Sequence, residues 1–170
     1  MYQYKAYFYI FVAVLTIAIV VTIYLYVQVL SLSETYNVHA SDFNMSGWCQ
    51  PGKPTEVIYY GSDCPACISV YDSFINITSL FGIWQGDRFY SGYFCAYAIN
   101  LTAYNENLSN IFAPPEAIPL FQSVSDGRIP LLVFNGEFYK IGGYTTNSTA
   151  DASILKYICA TINSSAPECQ

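Results

Sequence analysis

The sequence contains two cysteines separated by two residues, Cys64-Pro-Ala-Cys67, in a stretch that could carry out thiol chemistry. β-Prone residues at 57–60 precede them, and apolar side chains recur at steps of three and four from Cys67 to Phe81. These patterns predict a strand followed by a helix whose first turn carries the cysteines. Pro65 suits that turn because its missing N–H is not needed there.

A thiol at the start of a helix lies near the positive end of the helix dipole, which favours the thiolate, the nucleophile in disulfide exchange. We therefore expect Cys64 to attack and Cys67 to resolve. Two alternatives stay open, a structural disulfide and half of a metal site. A zinc site needs two further ligands at close spacing, whereas the single histidine, His39, is distant and no second Cys-x-x-Cys occurs. We predict no metal and no organic cofactor.

Composition excludes some classes of function. The chain has 170 residues, enough for one ordinary domain. Charged residues make up 11% and the net charge is −6, which argues against nucleic-acid binding because that function requires a basic face. Seventeen tyrosines and eleven phenylalanines supply ample material for a core. Six cysteines in a chain of this size indicate a compartment in which disulfides persist.

Residues 6–30 form an apolar run that is long enough for a transmembrane helix, since about 20 residues span a bilayer. Lys5 lies on its N-terminal side, so the positive-inside rule predicts a single-pass membrane protein with its C-terminal domain outside the cytoplasm. A cleaved signal peptide is the alternative. Asn-x-Ser/Thr triplets beyond the run support this location as N-glycosylation candidates, at Asn44, Asn76, Asn100, Asn107, Asn147 and Asn163.

The domain organisation follows from changes in composition. A polar segment rich in Ser, Asn, Gly and Pro separates the apolar run from the first strand and is typical of a linker. The predicted regions are a cytoplasmic N-terminus at 1–5, a transmembrane helix (signal anchor) at 6–30, a linker at 31–54, a domain at 55–163 and a C-terminal tail at 164–170.

Within the domain, strand and helix patterns alternate. Prolines interrupt a weak helical stretch, and Asn135-Gly136 predicts a tight hairpin turn. Residues 83–92 are predicted to be a loop. After the first helix, the predicted elements are a strand at 93–101, an interrupted helix at 105–124, strands at 131–134 and 137–141, and a helix at 150–162.

This order, with Cys-Pro-Ala-Cys at the first strand–helix junction, resembles the thioredoxin fold, an α/β fold with a mixed central sheet flanked by helices. A second motif, Gly127-Arg-Ile-Pro-Leu-Leu-Val-Phe-Asn-Gly-Glu137, is similar to the family segment that carries a cis-proline before its hairpin. The resemblance covers residues 55–162. It implies a cis bond between Ile129 and Pro130, close to Cys64.

The resemblance also implies roles for individual residues. It implies catalytic roles for Cys64, Cys67 and Pro130, and contact with a bound substrate chain for Ile129, Pro65 and Ala66.

The sequence departs from the family at two positions. Asp63 stands where thioredoxins usually carry a tryptophan, and Ile58 stands where many members have a buried acid that assists the resolving cysteine. A carboxylate at Asp63 opposes thiolate formation on Cys64, whereas the helix dipole favours it. The redox potential therefore stays open.

Four further cysteines allow three connectivities, and structural pairing is the default outside the cell. An N-terminal extension in the thioredoxin fold commonly lies beside the second strand. The resemblance thus implies that Cys49 pairs with Cys95, and Cys159 with Cys169.

Together these features predict a membrane-anchored, extracytoplasmic thiol–disulfide oxidoreductase that acts on protein disulfides and exchanges electrons with a membrane redox partner. The alternative is a non-enzymatic glycosylated surface or filament protein, because Lys5-Ala6 before an apolar helix loosely resembles the processing site of archaeal pilin precursors. In that alternative the thioredoxin-like domain is a scaffold and Cys64–Cys67 is a structural disulfide.

Overall fold

A computed structural model describes residues 14–23, 44–105 and 113–170 of the chain. The chain divides into two compact units, Met1–Thr35 and Tyr36–Gln170. In the first unit, residues 14–23 form a helix, α1. The other elements that the structure describes belong to the second unit.

The transmembrane helix predicted for residues 6–30 lies mostly outside the described residues. Its described part is the ten residues of α1. In the described part of the chain, no helix combines the length and the apolar character that crossing a membrane requires. The predicted fold class, which included such a helix, and the predicted single-pass membrane location are therefore wrong.

The second unit is an α/β domain. Its elements are β1 (Thr55–Tyr60), α2 (Pro65–Ser79), β2 (Gly82–Gln85), β3 (Arg88–Ser91), β4 (Cys95–Asn100), α3 (Leu101–Asn105), α4 (Ala117–Ser125), β5 (Leu131–Phe134), β6 (Phe138–Ile141), α5 (Asn147–Thr161) and a short 3-10 helix (Pro167–Cys169).

The six strands form one mixed sheet in the order β2-β3-β4-β1-β5-β6. The crossover through α2 makes β1 parallel to β4, whereas the neighbouring pairs β1–β5 and β5–β6 are antiparallel. On the other side, β3 is antiparallel to both of its neighbours, β2 and β4. β1 is thus a central strand, and the turn that follows it leads directly into α2.

Helices cover both faces of the sheet. Alternate residues of β1 point to opposite faces, as the two-residue period of a strand requires. Ile58 packs in one cluster with Phe74 of α2 and Ile154 of α5. Tyr59 packs in the other cluster, with Phe121 of α4. Both faces of β1 are buried, and residues 57–60 form a continuous run of apolar and aromatic side chains.

Residues 83–92 were predicted to be a loop, but they contribute to the strands β2 and β3. The hairpin packs because Trp84 lies against Phe74 and Phe89 and donates its indole N–H to the Thr78 hydroxyl at 2.9 Å. The connection is Gly86-Asp87, a dipeptide that suits a two-residue turn.

The predicted interrupted helix at 105–124 is two separate helices, α3 and α4, and residues 106–112 between them lie outside the described residues. Pro119 is the third residue of α4. A proline is tolerated there because the first N–H groups of a helix have no intrahelical acceptor. The last helix, α5, begins earlier than predicted because the Thr146 hydroxyl caps it, accepting the Thr149 N–H at 3.2 Å.

Residues 44–54, which the sequence assigned to a linker, pack against the sheet. Met45 and Trp48 are buried in the cluster that contains Tyr97. The Tyr97 hydroxyl donates to the Trp48 carbonyl, and the two rings meet edge to face. This segment is fixed to β4 by packing as well as by a disulfide.

Candidate redox site

The two cysteines of the Cys-Pro-Ala-Cys motif lie where β1 leads into α2, and they are joined by a disulfide. Cys64 is the N-cap of α2, and Pro65 is its first helical residue. The Cys64 carbonyl accepts the Ile68 N–H at 3.1 Å, so the first turn of the helix is closed around the motif. The sulfur of Cys64 consequently lies at the positive end of a fifteen-residue helix.

The two sulfur-bearing residues differ in exposure. Cys64 is half-buried, whereas Cys67 is completely buried. The Cys64 Sγ accepts the backbone N–H of Cys67 at 3.2 Å. An external thiol can therefore reach only the Cys64 side of the disulfide. A thiolate formed on Cys64 would still accept the hydrogen bond from the Cys67 N–H.

The segment before β5 lies beside the motif. The Ile129–Pro130 peptide bond is cis. Pro130 is buried directly before Leu131, which pairs with Tyr59 near the end of β1, and the Pro130 carbonyl accepts the Gly142 N–H at 2.8 Å. The structure thus brings Pro130 to the same edge of the sheet as the cysteines.

Gly61 allows three segments to meet at this edge. A Cβ atom at this position would lie 3.0 Å from Ile129 Cδ1, 3.0 Å from Asp63 Oδ1 and 3.1 Å from Thr102 Oγ1. A residue without a side chain is needed to let these groups approach so closely. The half-buried Ile129 therefore lies against the turn that precedes Cys64.

The residues between the two cysteines, Pro65 and Ala66, are both exposed. Gly143, after β6, faces Ala66, because a Cβ built on it would lie 3.4 Å from the Ala66 Cβ. The Ser69 hydroxyl donates to Asn147 Oδ1 at 2.6 Å and joins α2 to the start of α5. The rim of the motif is thus formed by small residues. That Pro65 and Ala66 contact a bound substrate chain stays a prediction.

Hydrogen bonds also tie the turn before Cys64 to α3. The Thr102 hydroxyl donates to Asp63 Oδ1 at 2.8 Å and accepts the Ser62 N–H at 3.2 Å. The sequence singled out Asp63 but not Thr102. No sequence pattern pairs them, because they lie 39 residues apart and meet only when β4 aligns beside β1.

A pair of tyrosines, one at the end of β1 and one on α2, lies close to the motif. The rings of Tyr60 and Tyr71 are 4.5 Å apart, and Tyr71 follows Cys67 by one helical turn. Burial raises the pKa of Tyr60 to about 12, with the nearby Tyr71 adding to the effect. Burial also raises the pKa of Tyr71. Sequence reasoning used Tyr71 only as a core residue and did not find this pair.

A buried acid does occur in β1, but not where the thioredoxin family has it. Ile58 is an apolar core residue, whereas Glu56 is fully buried. Its Oε1 accepts the Thr161 hydroxyl at 2.6 Å, while Oε2 has no hydrogen-bond partner among the described residues. Burial raises the pKa of Glu56 to about 8. Glu56 pairs with Phe134, at the end of β1 away from the cysteines, so it is not part of this site.

The remaining cysteines form two disulfides away from the motif. Cys49 is joined to Cys95, and Cys159 to Cys169, which are the two pairs named from the sequence. The first connects the segment before β1 to β4, and the second connects the C-terminal residues to α5. Among the residues that the structure describes, no group of three His, Cys, Asp or Glu side chains is arranged to hold a metal ion.

Most of the candidate glycosylation sites lie at the surface. Asn100 is the exception among those described, because it is half-buried and its side chain hydrogen-bonds to Tyr60 and to the first N–H groups of α3. Asn107 lies outside the described residues. The exposed asparagines are Asn44, Asn76, Asn147 and Asn163.

No protein family, no curated protein and no solved structure matches the chain. The geometry of the motif is therefore the basis for assigning a function to the chain.

Proposed function

We propose that the chain is a thiol–disulfide oxidoreductase with a thioredoxin-like domain, which acts on protein disulfides through Cys64 and Cys67. One observation carries the proposal. Cys64 is half-buried and caps α2 with a sulfur that accepts a backbone N–H, and its disulfide partner Cys67 is fully buried. This asymmetry fits an attacking and a resolving cysteine, because the helix end favours a thiolate at the accessible position only.

The order of elements supports a thioredoxin-like domain. Strands β4-β1-β5-β6 lie side by side, with β1 parallel to β4 and antiparallel to β5. The motif follows β1, and the cis bond before Pro130 directly precedes β5. This is the arrangement that the resemblance in the sequence implies, and it adds weight to a redox role for the motif over a purely structural disulfide.

The proposed reaction moves two electrons without a cofactor. In the reduced protein, the Cys64 thiolate attacks a substrate disulfide, whose bond breaks and releases one substrate thiolate. Cys67 then loses its proton to solvent and attacks the Cys64 sulfur. This step forms the Cys64–Cys67 disulfide and releases the second substrate thiolate. With a substrate dithiol the same steps run in reverse, and a separate dithiol or disulfide partner regenerates the chain.

A trapping experiment tests this assignment. The full chain carrying Cys67→Ser is incubated with insulin, whose chains are joined by disulfides, and separated without reductant. We expect a mixed disulfide through Cys64 that dithiothreitol releases. Cys64→Ser should form none, because Cys67 is buried. Cys159→Ser, which leaves the half-buried Cys169 thiol unpaired, controls for non-specific exchange. Equal adducts in the first two variants, or none in either, would mean that Cys64–Cys67 is a structural disulfide.

A further inference from the structure

The turn before Cys64 is held to α3 through a single hydroxyl group. Thr102 gives its hydroxyl proton to Asp63 Oδ1 at 2.8 Å and accepts the Ser62 N–H at 3.2 Å. Its own backbone N–H is held by Asn100 Oδ1 at 3.0 Å. Both the donor and the acceptor capacity of the hydroxyl are therefore used on the turn, which fixes the direction of the Asp63 carboxylate.

Asp63 is the residue directly before the sulfur that would react. A carboxylate beside Cys64 disfavours the Cys64 thiolate, while the N-terminus of α2 and the Cys67 N–H favour it. Arg128, the cation next to Ile129, directs its Nε to the Ser125 carbonyl at 3.2 Å. The hydrogen-bond partner that the structure gives to the Asp63 carboxylate is thus a neutral hydroxyl, which leaves its negative charge in place.

We propose that Asp63 and Thr102 together set the balance between the disulfide and the dithiol forms of Cys64 and Cys67. Thr102 is the positioning residue: it holds the Asp63 carboxylate beside Cys64, where the charge disfavours the thiolate of the reduced protein and so favours the disulfide. Asp63 and Thr102 thereby regulate the redox site, and this role rests on the function proposed for that site. The equilibrium concerned is the disulfide plus two glutathione thiols, giving two protein thiols and glutathione disulfide.

The charge of Asp63 is tested through the pKa of Cys64. In the full chain carrying Cys67→Ser, Cys64 is the unpaired thiol, and its rate of alkylation by iodoacetamide is measured against pH. Adding Asp63→Asn should lower the apparent pKa by about one unit, the order of magnitude expected for one solvent-screened unit charge near a protein surface. Asp72→Asn removes an exposed charge from α2 itself and is the matched control, which should leave that pKa unchanged.

The same substitution is then made with Cys67 present, and the chain is equilibrated with glutathione. Asp63→Asn should shift the equilibrium about tenfold toward the dithiol above the Cys64 pKa, which corresponds to about 30 mV. All variants are produced in a bacterial host, so that the Asn100–Thr102 triplet is not glycosylated.

The role of Thr102 is tested by a double-mutant cycle. Thr102→Val keeps the shape of the side chain but loses the hydroxyl, and in this background the effect of Asp63→Asn should fall from about tenfold to about threefold or less. Thr102→Ser keeps the hydroxyl and should restore the full effect. Urea unfolding of each variant measures any loss of stability, which by itself would not change the coupling between the two positions.

Two results would overturn the inference: a Cys64 pKa that Asp63→Asn leaves unchanged, or an Asp63→Asn effect of the same size with and without the Thr102 hydroxyl. Alkylation needs no redox partner, so these results are independent of the proposed function. Conversely, a wild-type chain that does not equilibrate with glutathione would overturn the proposed function while leaving the effect of Asp63 on the Cys64 pKa intact.

Discussion

Glu56 shows what the burial of one ionisable side chain does to this fold. It is completely buried in β1, and one of its carboxyl oxygens has no hydrogen-bond partner among the described residues. Ionisation in such a place is unfavourable, because the charge loses its hydration without gaining a cation. Burial therefore raises its pKa to about 8, and the nearby Glu137 acts in the same direction, although the Thr161 hydroxyl opposes the shift.

This shift predicts that stability falls as the pH rises. The folded chain keeps the Glu56 proton up to about pH 8, whereas the unfolded chain loses it near its ordinary pKa of 4.5. Folding therefore binds a proton between these values, and the free energy of unfolding decreases across that window and levels off above it. At about 1.36 kcal/mol per unit of pKa, the decrease is on the order of 5 kcal/mol. Urea unfolding at several pH values from 4.5 to 9 would measure it.

Glu56→Gln is the matched variant, because it keeps the shape and an oxygen that can accept from Thr161. We expect its stability to change much less over the same pH range and to exceed that of the wild type at pH 9. A wild type and a Glu56→Gln variant with parallel pH profiles would show that Glu56 does not carry the dependence.

The residues of the site were only partly predictable. The motif at Cys64 and Cys67 could be found because its chemistry depends on a fixed spacing along one helix turn. The Asp63–Thr102 contact could not, because it joins residues that only the pairing of β1 with β4 brings together. The burial of Glu56 had a weak sequence signal, a charged residue directly before the apolar run at 57–60, which is typical of a strand buried on both faces.

At the scale of elements, the β2–β3 hairpin depends on the absence of a side chain at Gly82. A Cβ there would lie 2.9 Å from both Phe89 Cζ and Ser91 Cβ, and it would also collide with the Tyr90 carbonyl of the paired strand. We therefore predict that Gly82→Ala destabilises the domain by about 2 kcal/mol, the usual cost of overpacking. The free energy of unfolding in urea measures this.

Gly92 provides the control. A Cβ at this position meets nothing within 4 Å. Gly92→Ala should therefore change stability by less than about 0.5 kcal/mol. Equal effects of the two substitutions would contradict the packing of β2 against β3.

The elements that could be predicted are those with a long or regular pattern. α2 was predicted from its three- and four-residue period, and the turn after β5 from Asn135-Gly136, which have φ values of 51° and 69°. The strands β2 and β3 have four residues each, too few for a clear alternation. The sequence signal for this hairpin was the dipeptide Gly86-Asp87, which suits a two-residue turn between strands. The prediction of a membrane helix was wrong, because no helix among the described residues is long and apolar enough to cross a membrane.

At the scale of the whole molecule, two disulfides fasten the ends of the domain to its sheet and helices. Cys49–Cys95 spans 46 residues, and Cys159–Cys169 spans 10. Because a longer loop restricts the unfolded chain more, replacing the first pair by alanine should cost about 4 kcal/mol and the second about 3 kcal/mol.

Neither replacement should affect exchange at the motif, because both pairs lie outside it. We expect the glutathione equilibrium of Cys64–Cys67 to change by less than a factor of about two in either double variant, as for distant independent sites. A folded double variant whose motif no longer exchanges would show that the motif depends on these disulfides.

The most direct test of the redox assignment is the reduction potential of the Cys64–Cys67 couple in the full chain. The protein is equilibrated with defined ratios of glutathione and glutathione disulfide, alkylated, and scored by mass spectrometry of the peptide that contains the motif. A redox function predicts a reversible couple in the range of known exchange proteins, roughly −120 to −270 mV. A disulfide that stays oxidised to below about −300 mV and does not react with small thiols would contradict it, since structural disulfides behave in that way.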